Sequence, residues 1–167
     1  VAIRARDVDA LLVEPPATDR TVDARFGNLG SLHGVNAPER VEPGGTMRVE
    51  AVWLALASSQ TPYKVTVQLL NPVGAVVAQH DGEPASGHRP TTSWLPGEFI
   101  VDPHELILSP DTPAGTYDLI VGVYDPRTLR RLDVTGGDAF GALDDEAASP
   151  GAPPTGEAAV VGRVVVP

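Results

Sequence analysis

Cysteine is absent from the chain, which excludes a disulfide framework and any thiolate metal site while leaving the compartment open. Clustered positive charge is missing too. No run of basic residues extends beyond Arg130-Arg131, so the electrostatic footprint of a nucleic-acid binder is lacking. The net charge of -10 would repel an anionic membrane surface, and its simplest meaning is solubility. Apolar runs last only a few residues, so neither a signal peptide nor a membrane span is expected within the sequence. It starts at Val1 rather than Met, and reads as an excised fragment or processed product whose anchor, if any, lies elsewhere.

Present in quantity are the residues that break helices. The 167 residues include 17 Gly and 17 Pro, a density that favours short strands joined by turns. The length fits one domain with a core that needs no staple. Strand periodicity is clearest in "YKVTVQLLN", where Tyr63, Val65, Val67 and Leu69 face one way and Lys64, Thr66 and Gln68 the other. "TMRVEAVWLAL" sets Met47, Val49, Ala51 and Trp53 on one side. "TYDLIVGVYD" does the same with Tyr117, Leu119, Val121 and Val123. "AVVAQHD" follows the "NPVG" turn as a hairpin partner, and "GEFIVDPHELILS" is a strand whose Pro103 marks an edge or a bulge.

"RFGNLGSLHGV", cut by three glycines, reads as a bulged edge strand, and "AAVVGRVVV" as the last strand. The expected fold is therefore all-β: an immunoglobulin-like or fibronectin-III-like antiparallel sandwich of about seven strands. Residues 1–22 form a lead segment or linker, and 23–167 a single sandwich domain. Within that domain, 135–156 make a long acidic loop rich in Gly, Ala and Pro. Tyr117 follows Pro113-Ala114-Gly115 and sits where a Greek-key sandwich places a corner tyrosine bonded to upstream backbone.

The stretch Gln79 to Leu108 concentrates chemistry-bearing residue types, including three of the four histidines and one of the two tryptophans. Ser86, Thr91 or Ser93 with His80, His88 or His104 and Asp81 or Asp102 would supply a hydrolase's groups, but no nucleophile motif frames them. The histidines could join a carboxylate on zinc, yet no H-x-H or H-x-x-x-H pair preorganises them, and His80 and Asp81 must point to opposite faces of a strand. Glu98, Asp102 and Glu105 are conceivable glycosidase carboxyls on a scaffold with little room for a cleft. Asp138, Asp144, Asp145 and Glu146 offer oxygen ligands for calcium without the spacing of a calcium loop. Trp94, flanked by His88, Arg89 and Glu98, either stacks on a sugar ring or closes the end of the core. Trp53, in a strand, is assigned to the core.

The strings "LLNPVGAVVAQHDGEP", "RPTTSWLPGEFIVDPHELIL" and "DTPAGTYDLIVGVYDPRTLRRLDV" resemble a module at the C-terminal end of polytopic membrane proteins of Chloroflexi-type bacteria. Many of those proteins look like dolichyl-phosphate-mannose-type glycosyltransferases. The likeness runs from about Phe26 to Val134 and over "VVGRVVV". It implies an extracytoplasmic β-sandwich following a membrane domain, and no residue here matches the catalytic motif of the membrane part. The excursion 135–156 is longer than that pattern leads one to expect.

The expected role is thus a non-catalytic accessory module serving structure or protein interaction. The alternative is a glycan- or lipid-linked-sugar-binding module that uses Trp94, His80, His88, Arg89 and His104. No cofactor, metal or catalytic residue is expected. The expected partners are the membrane domain of the parent protein or a glycan, with no nucleic acid and no membrane insertion by this chain.

Overall fold

The computed structural model describes residues 12–140 and 155–167. Eleven strands are formed there: β1 (Arg20–Phe26), β2 (Gly30–Asn36), β3 (Thr46–Ala55), β4 (Lys64–Leu70), β5 (Val76–Gly82), β6 (Phe99–Ile107), β7 (Gly115–Tyr124), β8 (Val134–Gly136), β9 (Ala139–Phe140), β10 (Thr155–Gly156) and β11 (Ala158–Val166). They make two sheets, ordered β10-β8-β1-β2-β3-β6 and β5-β4-β7-β11-β9. Every pairing within a sheet is antiparallel. The expected all-β sandwich is what the chain forms, with more strands than the seven anticipated.

Alternating side chains from both sheets fill the space between them. Met47, Val49, Ala51 and Trp53 of β3 are buried, as are Val65, Val67 and Leu69 of β4 and Tyr117, Leu119, Val121 and Val123 of β7. Trp53 lies at the centre, edge-on to Phe26 at a centroid distance of 5.0 Å. Burial does not stop at the inner face: Leu70, Ile120 and Ala158 form a smaller buried cluster of their own.

Three expectations need correction or refinement. "RFGNLGSLHGV" is not one edge strand but the end of β1, a turn and β2, an interior strand; the expected bulge is there, in β2 between Leu32 and Gly34. Gly27 adopts φ 51, the left-handed conformation that lets the chain reverse there. The extra strands are mostly short: β8 straddles the start of the stretch 135–156, β9 falls inside it, and β10 closes it. Strand β1 begins at Arg20, inside the stretch assigned to the lead, and the residues before it also touch the sandwich. The Phe99 N–H donates to the Leu12 carbonyl at 2.7 Å. Asn36 bonds the same segment twice, at Ala17 O and at the Asp19 N–H.

Two readings hold as made. Pro103 sits on β6, an edge strand, in unbroken register with β3. Tyr117 is a corner tyrosine, its hydroxyl donating to the Pro113 carbonyl at 2.6 Å.

Candidate functional site

The suspect stretch runs from edge strand β5 of one sheet to edge strand β6 of the other. Its crossover contains two 3-10 turns, Pro84–Gly87 and Thr91–Ser93. Proline at positions 84 and 90 fixes φ at the start of each turn and removes a backbone donor. Thr91 anchors the second turn. Its hydroxyl donates to Thr61 O at 2.8 Å and accepts the Tyr63 N–H at 3.1 Å, while its carbonyl accepts the Ser59 N–H.

Trp94 is 1% exposed, so the face that sugar stacking needs is covered. The ring sits 6.1 Å from Trp53, and its Nε1–H donates to Arg89 O at 3.0 Å. Gly30, at the start of β2, makes room for it: a Cβ there would lie 2.8 Å from Trp94 Cζ3. The indole plugs the end of the sandwich, which removes it from the proposed glycan platform.

Arg89 and Glu98 brace that plug. The Arg89 guanidinium donates to the Ser93 carbonyl at 3.3 Å and pairs with Glu98 Oε1. That oxygen also accepts the Leu95 N–H at 2.7 Å. Glu98 is buried, and its Oε2 has no partner among the described residues. His88 lies exposed on the same crossover, apart from the other two histidines.

His80 and His104 do come together. His104 pairs across β3–β6 with Val49, and His80 across β4–β5 with Val67, so both rings turn into the gap between the sheets. Their Nδ1 atoms face each other at 2.8 Å. His104 Nε2 reaches Asp102 Oδ2 at 2.8 Å. Asp102 is fully buried and accepts two further donors, Trp53 Nε1–H at 3.3 Å and the Ala85 N–H at 3.0 Å. That last bond holds the Pro84–Gly87 turn, where Ala85 and Ser86 both take φ 55. A four-residue polar chain thus runs from Trp53 through Asp102 and His104 to His80, which is exposed at its outer end.

Asp81 faces the other way, as a strand requires. It accepts the Thr66 hydroxyl at 2.7 Å and the Tyr124 hydroxyl at 2.8 Å. Burial, then the Asp81 hydrogen bond and charge, push the Tyr124 phenol up to about 12, with Arg131 opposing. Arg131 lies over Gly122 and bonds Gln68 Oε1 at 3.2 Å, and Gln68 in turn bonds Gln79.

No serine or threonine is hydrogen-bonded to either histidine, and no group of three or more His, Asp or Glu capable of holding a metal occurs among the described residues. Three of the calcium candidates, Asp144, Asp145 and Glu146, lie outside the described residues. Spacing along the chain could not reveal the His80–His104 pair, because the rings come from strands of different sheets. The only hint was the inward parity of each residue on its own strand.

No family model matches the chain, and no curated protein matches it. A solved structure described as the C-terminal domain of Wzt superposes over 88% of this chain and 75% of its own, with a TM-score of 0.46 and 12% identity. Similarity at that level carries no argument about ligand or mechanism.

Proposed function

We propose that the chain is a non-catalytic accessory module on the extracytoplasmic side of a membrane protein resembling a glycosyltransferase, acting through structure and protein contact. One observation supports the non-catalytic part of this reading above others: Arg89, Trp94 and Asp102 are tied into the fold. Arg89 is bound to Glu98 and Ser93, Trp94 is sealed against Gly30, and Asp102 is surrounded by donors. A catalytic constellation needs groups free to meet a substrate.

The absence of cysteine makes the location testable. Val73, 87% exposed in the β4–β5 turn, can be changed to Cys in the full-length parent protein. A membrane-impermeant maleimide should label Val73→Cys in intact cells; labelling only after lysis would overturn the extracytoplasmic placement. Turnover of a sugar phosphate or ester by the isolated chain, lost in His80→Gln, would overturn the non-catalytic reading.

Glycan binding remains a second reading, now favoured by a different feature. A groove of about 730 Å³ opens between β1 and β11, lined by Arg20, Thr21, Val22, Asp138, Gly162 and Arg163 among others. Its size is that of a small-ligand site. Register shifts in both strands shape it, between Thr21 and Ala24 and between Val160 and Gly162. Arg20 reaches across to Gly162, where a Cβ would lie 2.6 Å from its Nη1. Oligosaccharide binding lost in Arg20→Gln but kept on an intact fold supports this reading. Binding unaffected by Arg20→Gln counts against it.

A further inference from the structure

We propose that His80 and His104 form a proton-operated latch between the two sheets. The bond joins β5 to β6, edge strands that share no backbone ladder. Two ring nitrogens facing each other at 2.8 Å require one hydrogen between them: one ring donates and the other accepts. Two hydrogens there, one on each Nδ1, turn the bond into a clash of like charges.

The neighbours fix the proton count. Asp102, the carboxylate on β6, accepts from His104 Nε2 and so keeps a hydrogen on that nitrogen. Strand β3 contributes only the Trp53 indole N–H, and the Pro84–Gly87 turn only the Ala85 N–H, both directed at Asp102. Strand β4 places the apolar Val67 opposite His80. Asp81, next to His80 on β5, is directed to Thr66 and Tyr124 on the other face. Glu83 and His88, the crossover's other titratable groups near the turn, make no side-chain hydrogen bond to the pair. Glu105, beside His104 on β6, is exposed on the opposite side of the strand.

Acid therefore acts in two steps. A first added proton goes to Nε2 of His80, the outer residue of the pair, and leaves the Nδ1–Nδ1 bond intact. A second must sit on an Nδ1 already facing a hydrogen, and the bond breaks. An unfolded chain accepts both protons freely, so it binds one more than the latched fold. Stability contributed by the latch is then present at neutral pH and lost as pH falls. Opening frees the end of β5 and the left-handed turn at Ala85 and Ser86, which are packed against β6. The shape of this side of the sandwich thereby becomes dependent on proton activity.

Urea unfolding and amide hydrogen exchange on the whole chain test this at about pH 8 and about pH 5, the limits of the usual histidine range. His80→Gln is the informative variant because residue 80 is exposed and its loss leaves the core filled. On acidification the wild-type unfolding constant should rise roughly tenfold more than that of His80→Gln, the size of one net hydrogen bond. His88→Gln should follow the wild type. In the wild type, exchange should accelerate at β5 and at 84–87 before it does in β7 and β11. Equal acid sensitivity in wild type and His80→Gln, or acceleration spread evenly over the chain, overturns the proposal. Imidazole nitrogen NMR gives a check that needs no variant. At neutral pH it should show one protonated and one bare Nδ1 in the pair, and two protonated Nδ1 atoms would also overturn it.

Discussion

Tyr124 shows how one side chain's surroundings decide its chemistry. Its hydroxyl gives its hydrogen to Asp81, which is itself fixed by the Thr66 hydroxyl. Burial and that carboxylate both oppose ionisation, holding the phenol at about 12. An unfolded tyrosine ionises near pH 10. Below that pH both states keep the proton and the stabilisation is complete. Between about 10 and 12 the unfolded chain releases a proton that the folded one retains, so stability falls as pH rises through this window. Followed by the ultraviolet tyrosinate band, one of the three tyrosines should titrate last, and Asp81→Asn should bring its midpoint part of the way down. An unchanged midpoint in Asp81→Asn would show that burial alone sets the value. The parity argument, that adjacent His80 and Asp81 face opposite sides, was open to sequence reading. Their partners were not, because Tyr124 and His104 lie 43 and 24 residues away along the chain.

Elements were legible where alternation was uninterrupted. Strands β3, β4 and β7 follow their period of two, and the crossover between β5 and β6 was visible from its proline and glycine. Legibility failed where glycine served a turn rather than a bulge, as at Gly27, and where pairing involves two or three residues, as in β8, β9 and β10. Segments that short have no period to read; tertiary pairing alone makes them strands. The tyrosine corner lies between these cases, since a Pro-Gly turn before a strand suggested it and the Tyr117–Pro113 bond supplies it. Tyr117→Phe keeps the buried ring and removes the one donor that ties the turn entering β7 to the strand. It should cost about 0.5–1.5 kcal/mol in denaturant unfolding, the usual value of a net hydrogen bond. A variant as stable as the wild type would mean that the turn holds itself.

On the scale of the molecule, the two sheets form a core that begins at β1. Among the described residues, none before Arg20 belongs to the buried cluster, and Leu12 and Val13 are 46% and 73% exposed. Residues 12–19 nevertheless act as a strap over one sheet, from Phe99 on β6 to Asn36 on β2, with Thr18 packed over Gly34. A Cβ at position 34 would lie 2.6 Å from the Thr18 hydroxyl and would collide with Arg20 O, so the glycine is what lets strap and strand lie this close. Composition could suggest a lead segment but not its docking, which depends on a side-chain amide and one edge-strand N–H rather than on apolar patterning. A chain starting at Asp19 should therefore fold with the same cooperativity and lose about 1–3 kcal/mol, the value of a few net hydrogen bonds. Exchange at the Phe99 amide should rise sharply, while amides of β4 and β7 change only as global stability does. If the shortened chain instead lost cooperativity, the strap would be part of the core's folding unit. If the Phe99 amide stayed protected, the bond to Leu12 would not be what shields the outer edge of β6.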